Sequence, residues 1–280
     1  MTDNQPSAAV VVGIDGSQAA VRAARWAVDE AIARDLPLRL VAVIPPESTT
    51  TSAKPPSSEP IPLDLEYAET VLREADAAIL ATGKPVKVDT AIVPGNPTEV
   101  LLAESRTAEL VCVGSVGIGA IARRFLGSKA TALAEGAHCP VAIIRDHGAV
   151  QRPSRGWVAV GVKASTDDED HEDVVIAALE EARLRRVPLV AIGLWQEDFG
   201  FTPYDELDRI VQTWTQRYPD VHVYPVTTRS GLVKFLADDI EPIELVVVGA
   251  DEAGEVAQLV GPHSHPILEH RECSVLVVRH

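Results

Sequence analysis

Four short stretches in the first half of this sequence recur, in the same order, in the second half. Val10-Val11-Val12-Gly13-Ile14-Asp15 is matched in strand character by Trp157-Val158-Ala159-Val160-Gly161-Val162-Lys163. Ile32 to Leu38 is matched by the expected helix Val174 to Arg185 with Val187-Pro188-Leu189 behind it, and Leu110-Val111-Cys112-Val113-Gly114 by Leu245-Val246-Val247-Val248-Gly249. His138-Cys139-Pro140-Val141 is matched by Glu272-Cys273-Ser274-Val275. A period of about 140 residues is too long for a solenoid and reads as a duplicated domain. The length of 280 residues suits two domains of ordinary size. We expect a first domain over residues 1–147 and a second over 155–280, joined by the polar stretch from Asp146 to Gly156.

Within the first copy, short β-branched runs alternate with longer stretches of helical periodicity. Strands are expected over Ala8 to Ile14, Leu38 to Ile44, Val86 to Val93, Leu110 to Gly114 and Val141 to Arg145. Helices are expected from Gln18 to Arg34 with Ser17 as N-cap, from Leu63 to Thr82, from Thr98 to about Arg106, and from Ser128 to about Gly136. Pro45 to Pro62 is rich in Pro, Ser and Thr, has no periodicity, and reads as a loop. Regular alternation implies an α/β fold with parallel strands and right-handed crossovers. Ligands of such sheets lie beyond the carboxyl ends of the strands, where the strand order switches. Asp15 and Gly114 both fall at such ends.

The stretch from Leu110 to Lys129, LVCVGSVGIGAIARRFLGSK, runs from an apolar strand through Gly114 and Gly117 to Gly127-Ser128 at a helix start. Glycines after a strand let the backbone turn sharply and approach a ligand closely. A helix start offers unpaired N–H groups and a positive dipole end, here with a serine hydroxyl beside them, and so favours phosphate. The spacing, glycine-x2-glycine-x9-glycine-serine, resembles the nucleotide-binding signature of the universal stress protein family, UspA-like and of the bacterial tandem type.

That resemblance implies two tandem flavodoxin-like α/β/α sandwiches, each with a five-stranded parallel sheet of order 3-2-1-4-5. The closing strands of the two copies would pair into an internal pseudo-dimer, and a homodimer of the whole chain is compatible with the family. The resemblance also implies ATP as ligand. Gly13 and Asp15 would lie near adenine and ribose, and the Val43 backbone would contact adenine. Val113 and Gly114 would close strand four, with Gly117 approaching ribose and phosphates. Gly127, Ser128 and the amide of Lys129 would hold the phosphates. Gly13 stands where some members carry proline.

The two copies are chemically unequal. Lys163 stands at the position of Asp15, Glu252 at that of Gly117 and Pro262 at that of Ser128, and the second glycine interval is one residue shorter. Asp251, Glu252 and Glu255 add negative charge where phosphates would lie. Up to Arg152 there are 14 basic and 18 acidic residues, against 11 and 23 from Pro153 onward. The second copy is therefore expected to be a degenerate nucleotide site.

A net charge of -16 argues against nonspecific binding to nucleic acid or to anionic membrane surfaces. The N-terminus carries no signal-peptide pattern, and no apolar run approaches the roughly 20 residues that span a bilayer. The expected location is the cytoplasm, with Cys112, Cys139 and Cys273 as buried reduced thiols. His263, His265, His270 and Cys273 are close in sequence, but the prolines at 262 and 266 favour a helix start over a metal site. Arg123 and Arg124 lie within the glycine loop, as solvated charges or as phosphate contacts. No serine has a histidine or acid at nucleophile spacing, so the chain reads as a sensor rather than an efficient enzyme. Asp15 could help hold Mg2+, which leaves slow ATP hydrolysis open. Two further classes stay open: an interaction scaffold that takes no nucleotide, and an adenylating enzyme.

Overall fold

Val10, Val11, Val12 and Ile14 are all buried in strand β1 (Val10–Ile14). A strand buried on both faces needs helices on both sides. In the computed structural model it has them. The structure describes residues 8–46, 63–115, 127–145, 156–163, 169–194, 203–229, 232–238, 243–255 and 273–279. The linker from 146 to 155 and most of the Pro/Ser/Thr-rich loop, 47–62, lie outside the described residues.

In the first half β1 is followed by α1 (Gln18–Ala33), β2 (Leu38–Ile44), α2 (Leu63–Leu80), β3 (Val88–Pro94), α3 (Pro97–Glu104), β4 (Leu110–Gly114), α4 (Ser128–Gly136) and β5 (Val141–Ile144). Val10 and Val12 face a core with the alanine stripe of α1 and with Val71 and Ala75 of α2. Val11 faces the opposite core, with Leu101 of α3 and Leu133 of α4. Ala20, Ala23, Ala24, Ala27 and Ala31 are at most 2% exposed. Such small side chains let α1 lie close on the sheet.

The second half repeats the plan: β6 (Trp157–Lys163), α5 (Glu169–Arg185), β7 (Leu189–Leu194), α6 (Pro203–Arg217), β8 (Val223–Thr228), α7 (Leu232–Asp238), β9 (Ile243–Gly249), a short 3-10 helix (Ala250–Glu255) and β10 (Ser274–Val278). The strands form one sheet of order β3-β2-β1-β4-β5-β10-β9-β6-β7-β8. Each half thus has the order 3-2-1-4-5. Its internal pairings are parallel, and the halves meet through antiparallel β5 and β10, with Val275 opposite Ile143 and Val277 opposite Val141. That contact covers two apolar strand edges.

The same seam holds four ionisable side chains. Glu30 of α1 is 0% exposed and Glu181 of α5 is 3% exposed. Each pairs with the arginine one turn on, Arg34 and Arg185 respectively. Across the seam Arg185 reaches Glu30 at 2.8 Å and Arg34 approaches Glu181 at 3.9 Å. The Arg185 guanidinium also lies 4.6 Å above the Trp26 ring. Burial, helped by the Glu30 charge, pushes the Glu181 carboxyl up to about 8 against the pull of both arginines.

Several element ends shift: β1 starts at Val10 rather than Ala8, α2 ends at Leu80 rather than Thr82, and β3 covers Val88–Pro94 rather than Val86 to Val93. Helix α3 starts at Pro97, one residue before Thr98, because the Asn96 side chain accepts hydrogen bonds from the backbone N–H groups of Thr98 (2.9 Å) and Glu99 (3.5 Å). Proline suits the first helical position, where its missing N–H would go unused. In the second half α5 reaches back to Glu169, five residues before the expected Val174. Cys112, Cys139 and Cys273 are all buried, as expected.

Candidate nucleotide cleft

A cavity of about 550 Å³ opens at the carboxyl edge of the first half, between the ends of β1, β2 and β4. Gly13, Asp15, Val43, Val113, Gly114, Gly127, Ser128 and Lys129 all line it. Gly117 lies outside the described residues, as do Arg123 and Arg124.

The turn after β1 is tied down by its own side chains. The Asp15 carboxylate accepts the Ser17 N–H at 3.0 Å, and Ser17 caps α1 by accepting the Ala20 N–H at 3.1 Å. Gly16 between them has φ +82°, a left-handed conformation that a side chain would strain. On the far wall, Gly127 is the N-cap of α4, and as a glycine it brings no side chain to cap that helix. Gly127 donates its N–H to the Ser115 carbonyl at 2.9 Å, and Ser115 donates its own to Ile144 at 2.9 Å. This pair of bonds pinches the two ends of the glycine loop together at the end of the sheet. The first N–H groups of α4, the Ser128 hydroxyl and the Lys129 ammonium therefore belong to one wall. The ammonium lies 4.0 Å from the other carboxylate oxygen of Asp15, with both side chains partly exposed. An ion pair in water at that distance contributes at most about 1 kcal/mol. Lys129 is thus free in energetic terms to turn toward an anion.

Gly114 is also needed by the fold itself. A Cβ on Gly114 would lie 2.7 Å from the Ala19 backbone carbonyl carbon and 2.9 Å from the Ala20 nitrogen. Its bareness lets the start of α1 sit against the end of β4, a packing role beside its place in the cavity lining. A Cβ on Gly13 would lie 3.0 Å from a Leu101 methyl.

Sequence reasoning missed one wall. Asp64, Tyr67, Ala68 and Val71 bring the first turns of α2 to the cavity, joined by Val41, Ala42 and Pro45 around β2. The available signal was topological. A helix entered from the carboxyl end of β2 has to begin at the ligand edge.

At the equivalent place in the second half the polar groups are paired with one another. Lys163 donates to Asp251 at 2.5 Å, and this bond holds the Asp251 carboxyl below the usual carboxylate range. The Gly249 N–H is taken by the Glu252 carboxylate at 3.2 Å, and the Lys163 N–H by His171 Nε2 at 3.0 Å. A cavity of about 460 Å³ remains beside these groups. Gly261, Pro262 and the histidines at 263, 265 and 270 lie outside the described residues. Among the described residues no group of three His, Cys, Asp or Glu could hold a metal ion. No described helix is long and apolar enough to cross a membrane.

A parallel sheet of order 3-2-1-4-5 with helices on both faces defines a doubly wound α/β sandwich, and the cleft lies where its strand order reverses, the place at which such folds take ligands. The family model for the universal stress protein family matches residues 8–145. Universal stress protein Rv2624c of Mycobacterium tuberculosis is 50% identical over 272 residues, covering 96% of each chain. Universal stress protein Rv2028c of the same organism is 37% identical over 282 residues, covering 99% of this chain and 98% of its own. A solved universal stress protein from Archaeoglobus fulgidus shares the fold with a TM-score of 0.65, at 15% identity, over 97% of this chain and 96% of its own. The chain belongs to the universal stress protein family.

Proposed function

We propose that this protein is an ATP-binding stress regulator of the cytoplasm, in which residues 1–147 form the nucleotide-binding domain and residues 155–280 a second domain with a degenerate site. The observation that carries the reading is the opposition, across one cleft, of the Asp15 turn and the glycine-capped start of α4 with Lys129. A carboxylate after the first strand suits ribose hydroxyls. A helix start with free N–H groups suits phosphate. Gly117 joins this set through the signature spacing, and Asp15 is the group that would face Mg2+ beside the phosphates. The second half supports no equivalent role, because Glu252 and Asp251 occupy its donors with negative charge. The family role and the absence of a nucleophile triad in the sequence favour sensing over rapid turnover. The β5–β10 contact supports the pseudo-dimer, with each domain serving as the other's partner. A homodimer of the whole chain would be a further level of assembly.

The test is titration calorimetry of the full chain with ATP, joined to mass analysis of nucleotide released from the purified protein. One ATP per chain is expected. Two equal sites would overturn the assignment of ATP to the first domain. No ATP at all would favour the scaffold reading.

A further inference from the structure

The two ends of the first cavity differ in chemistry. One end carries Lys129, the Ser128 hydroxyl and the start of α4; the other carries Val43, Pro45, Ala68 and Val71, with Asp15 between them. A ligand that satisfies both ends has an anion at one end and a flat apolar group at the other. At the apolar end stands Tyr67, 51% exposed although most large apolar side chains described here are buried. Its hydroxyl donates to the Asp15 carbonyl at 3.2 Å, spanning from α2 to the turn after β1. A Cβ on Gly16 would collide with the same hydroxyl and lie 2.8 Å from a Val71 methyl. The ring is therefore anchored twice, by its own helix and by the Asp15 carbonyl, and its tip rests on bare backbone.

We propose that Tyr67 is the base-contacting wall of the cleft, presenting its ring to the nucleobase while its hydroxyl holds the Asp15 turn in place. This rests on the nucleotide reading and adds to it a residue that decides how strongly the base is gripped. A ring held in place before binding loses little freedom on binding, so its contact is realised nearly in full. An aromatic ring suits this place because every base presents a π-face, and stacking on a side-chain ring strengthens binding by about tenfold or more. The hydroxyl remains engaged with backbone, so the ring rather than the oxygen is what the ligand meets.

The test compares wild type, Tyr67→Phe and Tyr67→Ala by calorimetry with two probes, ATP and inorganic triphosphate, thermal melts confirming that each variant is folded. Tyr67→Ala is expected to lose about tenfold in ATP affinity and nothing for triphosphate, which has no base. Tyr67→Phe keeps the ring but loses its tether to the Asp15 turn, and is expected to lose ATP affinity by about threefold, clearly less than Tyr67→Ala. Wild-type ATP affinity in Tyr67→Ala overturns the role alone. So does a loss in Tyr67→Phe as large as in Tyr67→Ala, which would place the effect in the hydroxyl. An equal loss for triphosphate and ATP also overturns it. A wild type that takes no ATP overturns the nucleotide reading and this role with it.

Discussion

At Gly114 the absent side chain makes room for another part of the chain. The nearest atoms to a Cβ there belong to the Ala19 and Ala20 backbone, which cannot rotate away as a side-chain tip can. Gly114→Ala is thus expected to destabilise the protein by about 1–3 kcal/mol, the usual cost of overpacking a well-filled site. Chemical denaturation of wild type and variant is the check, and unchanged stability would show that α1 is less fixed than its contacts imply. The importance of Gly114 was legible in the sequence, but its cause was not. A short motif shows that a Cβ is excluded without showing what excludes it. Tyr67 was illegible for a related reason. Its partner, the Asp15 carbonyl, is 52 residues away, and a backbone oxygen carries no side-chain signature to search for. Glu30 and Glu181, by contrast, could have been found. Each precedes an arginine by one turn, shortly before Pro37 or Pro188, and aligning the two copies places them in register.

Among the elements, α4 shows most directly how one fold supports two different chemistries. Its first residue is Ser128, whereas Pro262 stands at the matching place in the second half. Proline is well tolerated at a first helical position, so Ser128→Pro should leave stability near wild type. It removes one N–H and one hydroxyl from the proposed phosphate wall. A hydrogen bond to a charged group contributes about 1.5–3 kcal/mol, so ATP affinity should fall by roughly tenfold or more. A folded variant with wild-type affinity would place the phosphates elsewhere. The regular elements of the first half were legible because each strand is a compact apolar run followed by a turn signal. The second half was less so. Strand β8 reads Val-Tyr-Pro-Val-Thr-Thr, has only Val223 buried and contains Pro225. A proline is tolerated there because β8 is the last strand of the sheet. Helices α6 and α7 flank it with few strongly apolar runs, so only the assembled sheet makes their places plain.

On the scale of the whole molecule, the buried Glu30–Arg34–Glu181–Arg185 group makes stability depend on pH. The Glu181 carboxyl is raised from 4.5 to about 8 by burial and by the Glu30 charge beside it. A group raised on folding binds more protons in the folded state. Its stabilisation is therefore complete below its unfolded pKa and is lost as pH rises through the folded one. Removing this titration in Glu181→Gln should make the Tm difference from wild type change with pH between about 4.5 and about 8. A constant difference across that window would mean that Glu181 is ionised throughout. The pairing of β5 with β10 has a different consequence. Two strands on separate molecules part when the solution is dilute enough. Here they belong to one covalent chain, so the local concentration of each for the other is set by the tether and not by the cell. The contact is therefore indifferent to how much of the protein is made. A seam between identical subunits receives every substitution twice; this one receives each substitution once, on one side. One half was thereby free to keep glycine and serine at its cleft while the other took on glutamate and proline.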